Sequence, residues 1–341
     1  MKAAISALAL ALLLGAVLIA ATQKSLIAPW DSYKALFIGA FGSVSAWAAT
    51  LARTTPLLLT GLAVAVALRA GLFNIGGHGQ MVAGGLAAAW VGCSLAAPSA
   101  LLIPLCLLAV MGAGVVSAYL PILLREKRGA HEVITAILLN YAAAKITQYL
   151  AAGPLKAPGE TPQTPEVAAL LPRLHPEQDV HAGLFVGIAA LIALAFALTR
   201  TVWGYETRTV GSGPEAAKAA GIDPARVRLN AFLLSGALAG LAGAVVVCGE
   251  TPFRRFPADF SSLGYGFEGL AVAMLAGSGA LWLVGPAALL FGALGAGAEA
   301  MAFDVGTPKQ LVFVVEAILI GALTAKYPGV FRIGKKKAET P

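Results

Sequence analysis

The sequence predicts an all-α protein that crosses a membrane about ten times. Hydrophobic residues make up 58% of its 341 residues and charged residues only 12%, about half the charged share of a soluble domain. Residues 3–21 carry no charge and are long enough to cross a hydrocarbon core of about 30 Å as a helix. Similar runs recur along the chain, so residues 1–341 are predicted to form a single transmembrane domain.

Ten apolar runs with short polar interruptions define the predicted crossings. Residues 31–52 are apolar but broken by Gly and Ser, and we interpret them as an interfacial or re-entrant helix, since another crossing here would reverse every later loop. We expect the first run to be a retained anchor, because it is longer than the roughly 7–15 residues of a signal-peptide core. The predicted crossings are residues 3–21, 55–70, 81–97, 101–124, 133–152, 182–200, 229–249, 267–283, 285–303 and 311–327.

The distribution of basic residues predicts the orientation, because cytoplasmic flanks of membrane helices collect Lys and Arg. With the N-terminus inside, fifteen of the 24 basic residues fall in cytoplasmic segments, eight fall outside and Lys145 lies within a helix. Both termini and loop 201–228 are then cytoplasmic, and the Pro-rich loop 153–181 is external. This orientation accounts for the net charge of +7 without nucleic acid as a partner. The fifteen residues are Lys2, Arg69, Arg125, Lys127, Arg128, Arg200, Arg208, Lys218, Arg226, Arg228, Lys326, Arg332 and Lys335 to Lys337.

Motifs of several enzyme classes are missing from the sequence. It contains no G-x-x-x-x-G-K-[ST] loop for ATP phosphates and no G-x-S-x-G nucleophile elbow. His131-Glu132 lacks the second His of a zinc protease. Cys93, Cys106 and Cys248 lie in apolar runs without metal-ligand spacing. We therefore expect no catalysis, no metal and no cofactor in this chain.

The loop 201–228 contains the stretch GSGPEAAKAAGIDPARVR, which has the signals of a short helix. Pro214 suits the first helical position, and Glu215 places a negative charge in the first turn, where the helix dipole favours it. Gly221 is a good residue to follow the helix, and Asp223-Pro224 begins a second short turn before the chain re-enters the membrane at Leu229. So short a helix is marginal in water, so we expect it to dock on a partner.

Two Gly-rich stretches in the two halves of the chain resemble each other weakly. GLFNIGGHGQMVAGGLAA spans 71–88, and GYGFEGLAVAMLAG spans 264–277. They start from opposite faces, which predicts an inverted repeat of predicted helices 2–5 and 7–10 with broken helices meeting near the midplane, a recurrent way to build a transport site. The alternative is that membrane helices simply contain many glycines. Gly236 and Gly240 form a small-x-x-x-small face, for which we favour packing within the subunit over packing across a dimer.

Polar residues inside the predicted crossings are the candidates for a solute pathway, because ionisable side chains there are costly and face a cavity or a partner. Asn140, Lys145 and Gln148 are expected along one side of a helix. Interhelical hydrogen bonds are the alternative for Asn and Gln, and snorkelling toward the outer face is the alternative for Lys145. The candidates are Asn74, His78, Gln80, Asn140, Lys145, Gln148, Glu268, Glu299 and Glu316.

The pattern Glu215-Ala216-Ala217 followed by Gly221 resembles the E-A-A-x-x-x-G coupling loop of ABC importer permeases, the segment that docks on the ATPase subunit. Together with GLFNIGGHGQ, HEVITAILLNYAA, FLLSGALAGLAGA and GYGFEGLAVAML, it makes residues 35–330 similar to the branched-chain amino acid and simple sugar permease superfamily. The resemblance is greatest to the branch that imports nucleosides with lipoprotein receptors of the basic membrane protein type.

This resemblance implies a non-enzymatic permease subunit in the cytoplasmic (inner) membrane of a bacterium, working by alternating access. Its implied partners are a cytoplasmic ATPase that binds the ATP, a second permease subunit, an extracytoplasmic binding lipoprotein and membrane lipid. One position departs from the family pattern, N-I-G-x-E-G-Q, because His78 replaces the carboxylate. A group that titrates near neutral pH thus takes the place of a negative charge.

Other functions remain open from the sequence alone. An ion-coupled secondary transporter would use His78, Glu268, Glu299 or Glu316 as a relay, but it leaves the E-A-A-x-x-x-G loop unexplained. An ABC permease for simple sugars or branched-chain amino acids is equally compatible with the composition, and a non-transporting scaffold would leave the buried charges unexplained. Aromatic side chains near the Gly-rich breaks suit either stacking on a base or ordinary packing: Phe73, Tyr141, Tyr265 and Phe267.

Overall fold

The structure, a computed structural model, describes residues 2–95, 97–175, 180–249, 254–277 and 280–326. Arg332 and Lys335 to Lys337 of the orientation argument lie outside these residues, as do short parts of segments 81–97, 153–181, 267–283 and 311–327. The described chain forms α1 (Lys2–Gln23), α2 (Ala28–Phe41), α3 (Val44–Arg69), α4 (Gly77–Ser94), α5 (Ser99–Arg128), α6 (Glu132–Ala152), α7 (Gly183–Arg200), α8 (Val202–Ser212), α9 (Pro214–Ala219), α10 (Pro224–Gly249), α11 (Tyr265–Ala276), α12 (Val284–Val305) and α13 (Gln310–Lys326).

An all-helical, polytopic membrane protein is confirmed by the length and composition of these helices. Within the described ranges, six apolar spans are long enough to cross a membrane. Three further helices, α4, α6 and α13, coincide with predicted crossings and have 18, 21 and 17 residues. The count of ten crossings stays a prediction. The six long spans are Ser6–Gln23, Val44–Arg69, Ala100–Arg128, Gly183–Arg200, Pro224–Gly249 and Leu281–Val305.

The helix predicted over residues 267–283 is wrong in its extent. The helix found there, α11, has only 12 residues, a length of about 18 Å at 1.5 Å per residue. It ends at Ala276, where the N–H of Gly277 bonds back to the carbonyl of Ala273 at 3.0 Å. The residues beyond Gly277 are apolar as well, so hydropathy alone extends the run past the end of the helix. A helix of this length does not cross a bilayer on its own.

Residues 31–52 belong to two helices, which corrects the prediction of one interfacial or re-entrant segment. The first, α2, has 14 residues, about 21 Å and too short to cross the hydrocarbon core. The second part belongs to α3, which begins at Val44 instead of residue 55 and is capped by the Ser43 hydroxyl, an acceptor for the N–H of Ala46 at 3.1 Å. The break between the helices falls at the Gly and Ser that the sequence marks.

Helices α3 and α10 form the centre of the bundle and are buried along most of their length, whereas α1, α5 and α7 expose most of theirs. Small residues permit the tight crossing of α10 with α5. A Cβ at Gly236 would meet the carbonyl of Gly114 and the side chain of Ala118, and Gly240 lies against the backbone of Val110. The small-x-x-x-small face therefore packs within the subunit, as favoured from the sequence.

Replacing Gly236 by valine is expected to destabilise the bundle by about 1–3 kcal/mol, because its side chain has no space between α10 and α5. Gly112→Ala on α5 is the control, since a Cβ at Gly112 meets nothing within 4 Å. Thermal unfolding of the protein in detergent, followed by fluorescence-detected size exclusion, compares the two. Equal midpoints for both variants would contradict the close approach of the two helices.

The two long loops lie at opposite ends of the bundle. Helix α10 starts within the last residues of loop 201–228, and near its other end the carbonyl of Cys248 accepts a hydrogen bond from the N–H of Leu171 at 2.8 Å. The C-terminal turn of α4 reaches the same end, where Ala168 donates to the carbonyl of Gly92 at 2.9 Å. Loops 153–181 and 201–228 therefore lie at opposite ends of α10, and that they face opposite sides of the membrane stays a prediction. Which side is cytoplasmic stays a prediction.

Candidate functional site

The turn between α3 and α4 lies inside the helix bundle. Asn74 in this turn is buried, and its Nδ2 donates to Gln80 Oε1 at 2.8 Å and to Ser235 Oγ at 2.7 Å. The Ser235 hydroxyl in turn donates to the carbonyl of Ala63 at 2.5 Å. Ser235 lies about 16 Å along α10 from its start, so α4 begins well inside the bundle.

Asn140 of α6 fixes the start of α4 from the other side. Its Oδ1 accepts the backbone N–H of Gly79 at 2.9 Å, and its Nδ2 donates to the carbonyl of Ile75 at 3.0 Å. The first of these bonds satisfies an N–H group that a helix start leaves unpaired. The amides of Asn74 and Asn140 thus join the start of α4 to α10 and α6, the interhelical alternative that the sequence left open, while Gln80 bonds to Asn74 in the turn before its own helix.

The two Gly-rich stretches meet inside the bundle, where α11 begins beside the start of α4. A Cβ at Gly266 would overlap the backbone of His78, so only glycine permits this approach. The Thr60 hydroxyl donates to the carbonyl of Tyr265 at 3.1 Å. Thr60 lies about 24 Å along α3 from its first residue and about 14 Å from its last. The two helix starts therefore meet inside the bundle, closer to the C-terminal end of α3 than to its start; their position at the membrane midplane and the repeat symmetry stay predictions.

An aromatic stack joins the two helix starts. The rings of His78 and Phe267 lie 4.4 Å apart between centroids, with 18° between their planes. His78 is buried and interacts electrostatically with the backbone of Ser261, and among the described residues no group hydrogen-bonds its buried Nδ1. Phe267 remains 46% exposed. The stack thus has a buried side formed by His78 and an open side formed by Phe267.

Four charged groups from four helices interact next to this stack. Arg53 on α3 forms an ion pair with Glu299 on α12. It also interacts electrostatically with Glu268 on α11 and Glu316 on α13, and these two carboxylates interact with each other. Glu316 is buried, Glu268 is half-buried and Glu299 is exposed. We call Arg53, Glu268, Glu299 and Glu316 the intramembrane charge cluster.

Lys145 and Gln148 lie away from this region, and the prediction that they share a side of α6 with Asn140 is wrong. Asn140 is buried against α4, whereas Lys145 and Gln148 are exposed. The Lys145 ammonium donates to Gln148 Oε1 at 3.2 Å. Five residues rotate a side chain by about 140° around a helix, which carries Lys145 away from the buried face.

Loop 201–228 presents a short helix, α9, at the end of the molecule. Ala217 is buried against Val210 and Val227, whereas Glu215, Ala216 and Gly221 are exposed. Ala217 therefore anchors the helix and its exposed neighbours face outward. Gly221 has φ +81°, a conformation that favours glycine, and it ends the helix as predicted.

The loop continues directly into α10, so the predicted second short turn at Asp223-Pro224 is the first turn of this helix; re-entry into the membrane at Leu229 stays a prediction. Asp223 caps this helix, since its Oδ1 accepts the N–H of Ala225 at 3.0 Å, and α10 begins at Pro224. At the other end of the loop, Gly211 packs against the backbone of Arg69 and Gly71. Loop 201–228 thus touches the turn that carries Asn74.

An all-helical membrane chain with broken helices that meet inside the bundle is the architecture of a transport permease. The sequence model of the family described as "Branched-chain amino acid transport system / permease component" matches residues 46–323, and the chain belongs to this family of ABC importer permeases. No solved structure matches the chain.

Three relatives match most of this chain. The glucose ABC transporter permease protein TsgB13 of Haloferax volcanii is 37% identical over 90% of this chain and 83% of its own length. The guanosine ABC transporter permease protein NupP of Bacillus subtilis is 36% identical over 90% of this chain and 89% of its own. The nucleoside ABC transporter permease protein NupB of Lactococcus lactis subsp. cremoris is 35% identical over 96% of this chain and 91% of its own.

Proposed function

We propose that this permease imports nucleosides across the cytoplasmic membrane of a bacterium. The observation that carries the substrate class is the similarity to guanosine and nucleoside permeases along nine-tenths or more of the chain. The intramembrane charge cluster and the His78–Phe267 stack supply polar and aromatic groups suited to such a solute. Lys145 and Gln148, exposed on α6, have no part in the proposed solute contacts.

Energy enters through loop 201–228, which docks on a separate ATPase subunit that binds the ATP. Glu215, Ala216 and Gly221 form the exposed tip that contacts the ATPase, and Ala217 anchors this tip to the permease. The exposure of the tip together with the burial of Ala217 supports this role. The loop is then cytoplasmic, and so are both termini, with ten crossings in a single domain of residues 1–341.

Movement of the loop is transmitted to the solute pathway through packed backbone. Gly211 presses on the turn between α3 and α4, whose Asn74 is bonded to Gln80 of α4 and Ser235 of α10. A displacement of the loop therefore shifts the start of α4, which carries His78. Alternating access follows when two permease subunits rock in this way around a shared pathway, with solute delivered by a binding lipoprotein on the side of loop 153–181.

Glucose is the second candidate solute, because a glucose permease is as similar to this chain as the guanosine permease is. Ion-coupled transport without an ATPase is the weaker alternative. It accounts for the carboxylates of the intramembrane charge cluster but gives no role to the exposed helix α9.

Transport measurements with the native complex test the proposal. The complex is purified from its host through a tag on this chain, reconstituted in vesicles and supplied with ATP and radiolabelled guanosine or glucose. We expect ATP-dependent uptake of guanosine, with little uptake of glucose. Uptake of glucose alone would overturn the nucleoside assignment, and uptake by the isolated chain without ATP would establish the ion-coupled alternative.

A further inference from the structure

We propose that the open face of Phe267 and the carboxylates of Glu268 and Glu316 form the recognition site for the transported nucleoside. Phe267 binds the base by stacking, and the two carboxylates accept hydrogen bonds from the sugar hydroxyls. This inference rests on the proposed function and deepens it, because it assigns the parts of the solute to named side chains.

Phe267 is positioned for stacking by rigid surroundings. One face of its ring is covered by His78 at 4.4 Å, and His78 is itself buried in the bundle. The contact between Gly266 and the His78 backbone fixes the helix that carries Phe267. The residue as a whole is 46% exposed, so part of its ring is left accessible. A fixed aromatic ring with one open face binds a base at little cost in conformational entropy.

Glu268 follows Phe267 in the sequence and lies in the first turn of α11, on the side that faces Arg53 and Glu316. Glu316 is only 7% exposed, and within the described part of the chain neither carboxylate has a hydrogen-bond donor in contact with it. Carboxylates in hydrocarbon are costly and face a cavity or a partner. Sugar hydroxyls are hydrogen-bond donors, and a carboxyl group offers acceptor oxygens for them in either protonation state.

The guanidinium of Arg53 reduces the electrostatic repulsion among the acidic side chains of this site. It interacts with both carboxylates and pairs with Glu299, so one cation is placed among three anions. Thr60, beside the start of α11, lies about 10 Å along α3 from Arg53. The aromatic and the charged parts are neighbours on α11, because Glu268 directly follows Phe267. A few polar groups beside an apolar face are typical of sites that bind small solutes.

The test compares variants of the native complex in reconstituted vesicles, with radiolabelled guanosine as the probe. Phe267→Ala is expected to lower the ATP-dependent uptake rate about tenfold or more, the effect of losing one base stack. Phe267→Trp retains an aromatic face and is expected to keep the rate within about threefold, which excludes a folding defect at this position. Phe196→Ala removes a similarly exposed ring from α7 and is the matched control, expected to match the wild type.

The sugar contacts are tested by competition in the same vesicles. In the wild type, excess unlabelled guanosine is expected to inhibit uptake more strongly than excess 2′,3′-dideoxyguanosine, and in the Glu268→Gln variant this preference is expected to shrink at least about threefold. An unchanged preference in that variant overturns the carboxylate assignment. Wild-type uptake by Phe267→Ala, or equal losses in Phe267→Ala and Phe267→Trp, overturns the stacking assignment. Failure of the wild type itself to take up guanosine overturns the proposed function instead.

Discussion

Gly221→Val is expected to abolish coupling between ATP hydrolysis and uptake. Gly221 has φ +81°, a region that costs an L-residue about 1–2 kcal/mol and a β-branched residue more. The six-residue helix that it ends has little stability of its own, so the strain is expected to unravel the exposed tip of loop 201–228. The amount of ATPase that co-purifies with the tagged permease should fall about tenfold or more, and ATP-dependent uptake should fall with it.

Two variants separate this effect from general strain. Gly221→Asn is expected to retain most of the coupling, because Asn tolerates the left-handed conformation. Gly306→Val introduces valine at a helix-end glycine with φ +69° and nothing within 4 Å, but outside loop 201–228, and should leave the co-purified ATPase unchanged. If Gly221→Val co-purified with as much ATPase as the wild type and showed wild-type ATP-dependent uptake, the loop would not be the coupling element.

The helices were predictable from the sequence wherever an apolar run had polar ends. Residues 182–200 and 285–303 coincide with α7 and α12 to within two residues at each end, since charges or turn residues bound them on both sides. The predicted helix boundaries were wrong where the chain turns without becoming polar. Helix α11 ends before Gly277 inside an apolar stretch, and α3 extends to Val44 through residues assigned to a separate segment. Hydropathy detects the solvent environment of a residue, and a turn inside the membrane does not change that environment.

The candidate site was predictable in its members but not in its contacts. The sequence singled out His78 and Glu268 as ionisable groups in Gly-rich breaks, and the structure brings these breaks together. Arg53 was missed because the predicted crossing began at residue 55, which placed the arginine outside the membrane. The sequence did allow a membrane position for Arg53, because a charge two residues before a long apolar run can belong to the same helix. Its ion pair with Glu299 joins residues 246 positions apart, which no local pattern reveals.

Arg53→Met is expected to destabilise the protein by about 2 kcal/mol or more and to remove uptake. The substitution leaves Glu268, Glu299 and Glu316 near one another without the cation that interacts with all three. Unpaired carboxylates are costly in a low-dielectric interior, and breaking a fully buried ion pair costs about 3–5 kcal/mol. The lower figure expected here reflects the partial exposure of Arg53 and Glu299. Thermal unfolding in detergent and the yield of membrane-inserted protein measure the loss.

A double substitution and a matched control show whether charge balance is the cause. Arg53→Met combined with Glu299→Gln removes one charge of each sign, so it should recover part of the stability lost in Arg53→Met, and the double-mutant cycle gives the coupling between the two side chains. Lys145→Met removes an exposed cation that donates to Gln148 on the same helix and should change the unfolding midpoint little. Equal losses in Arg53→Met and Lys145→Met, with no recovery in the double variant, would mean that Arg53 acts through packing of its aliphatic stem rather than by balancing the intramembrane charge cluster.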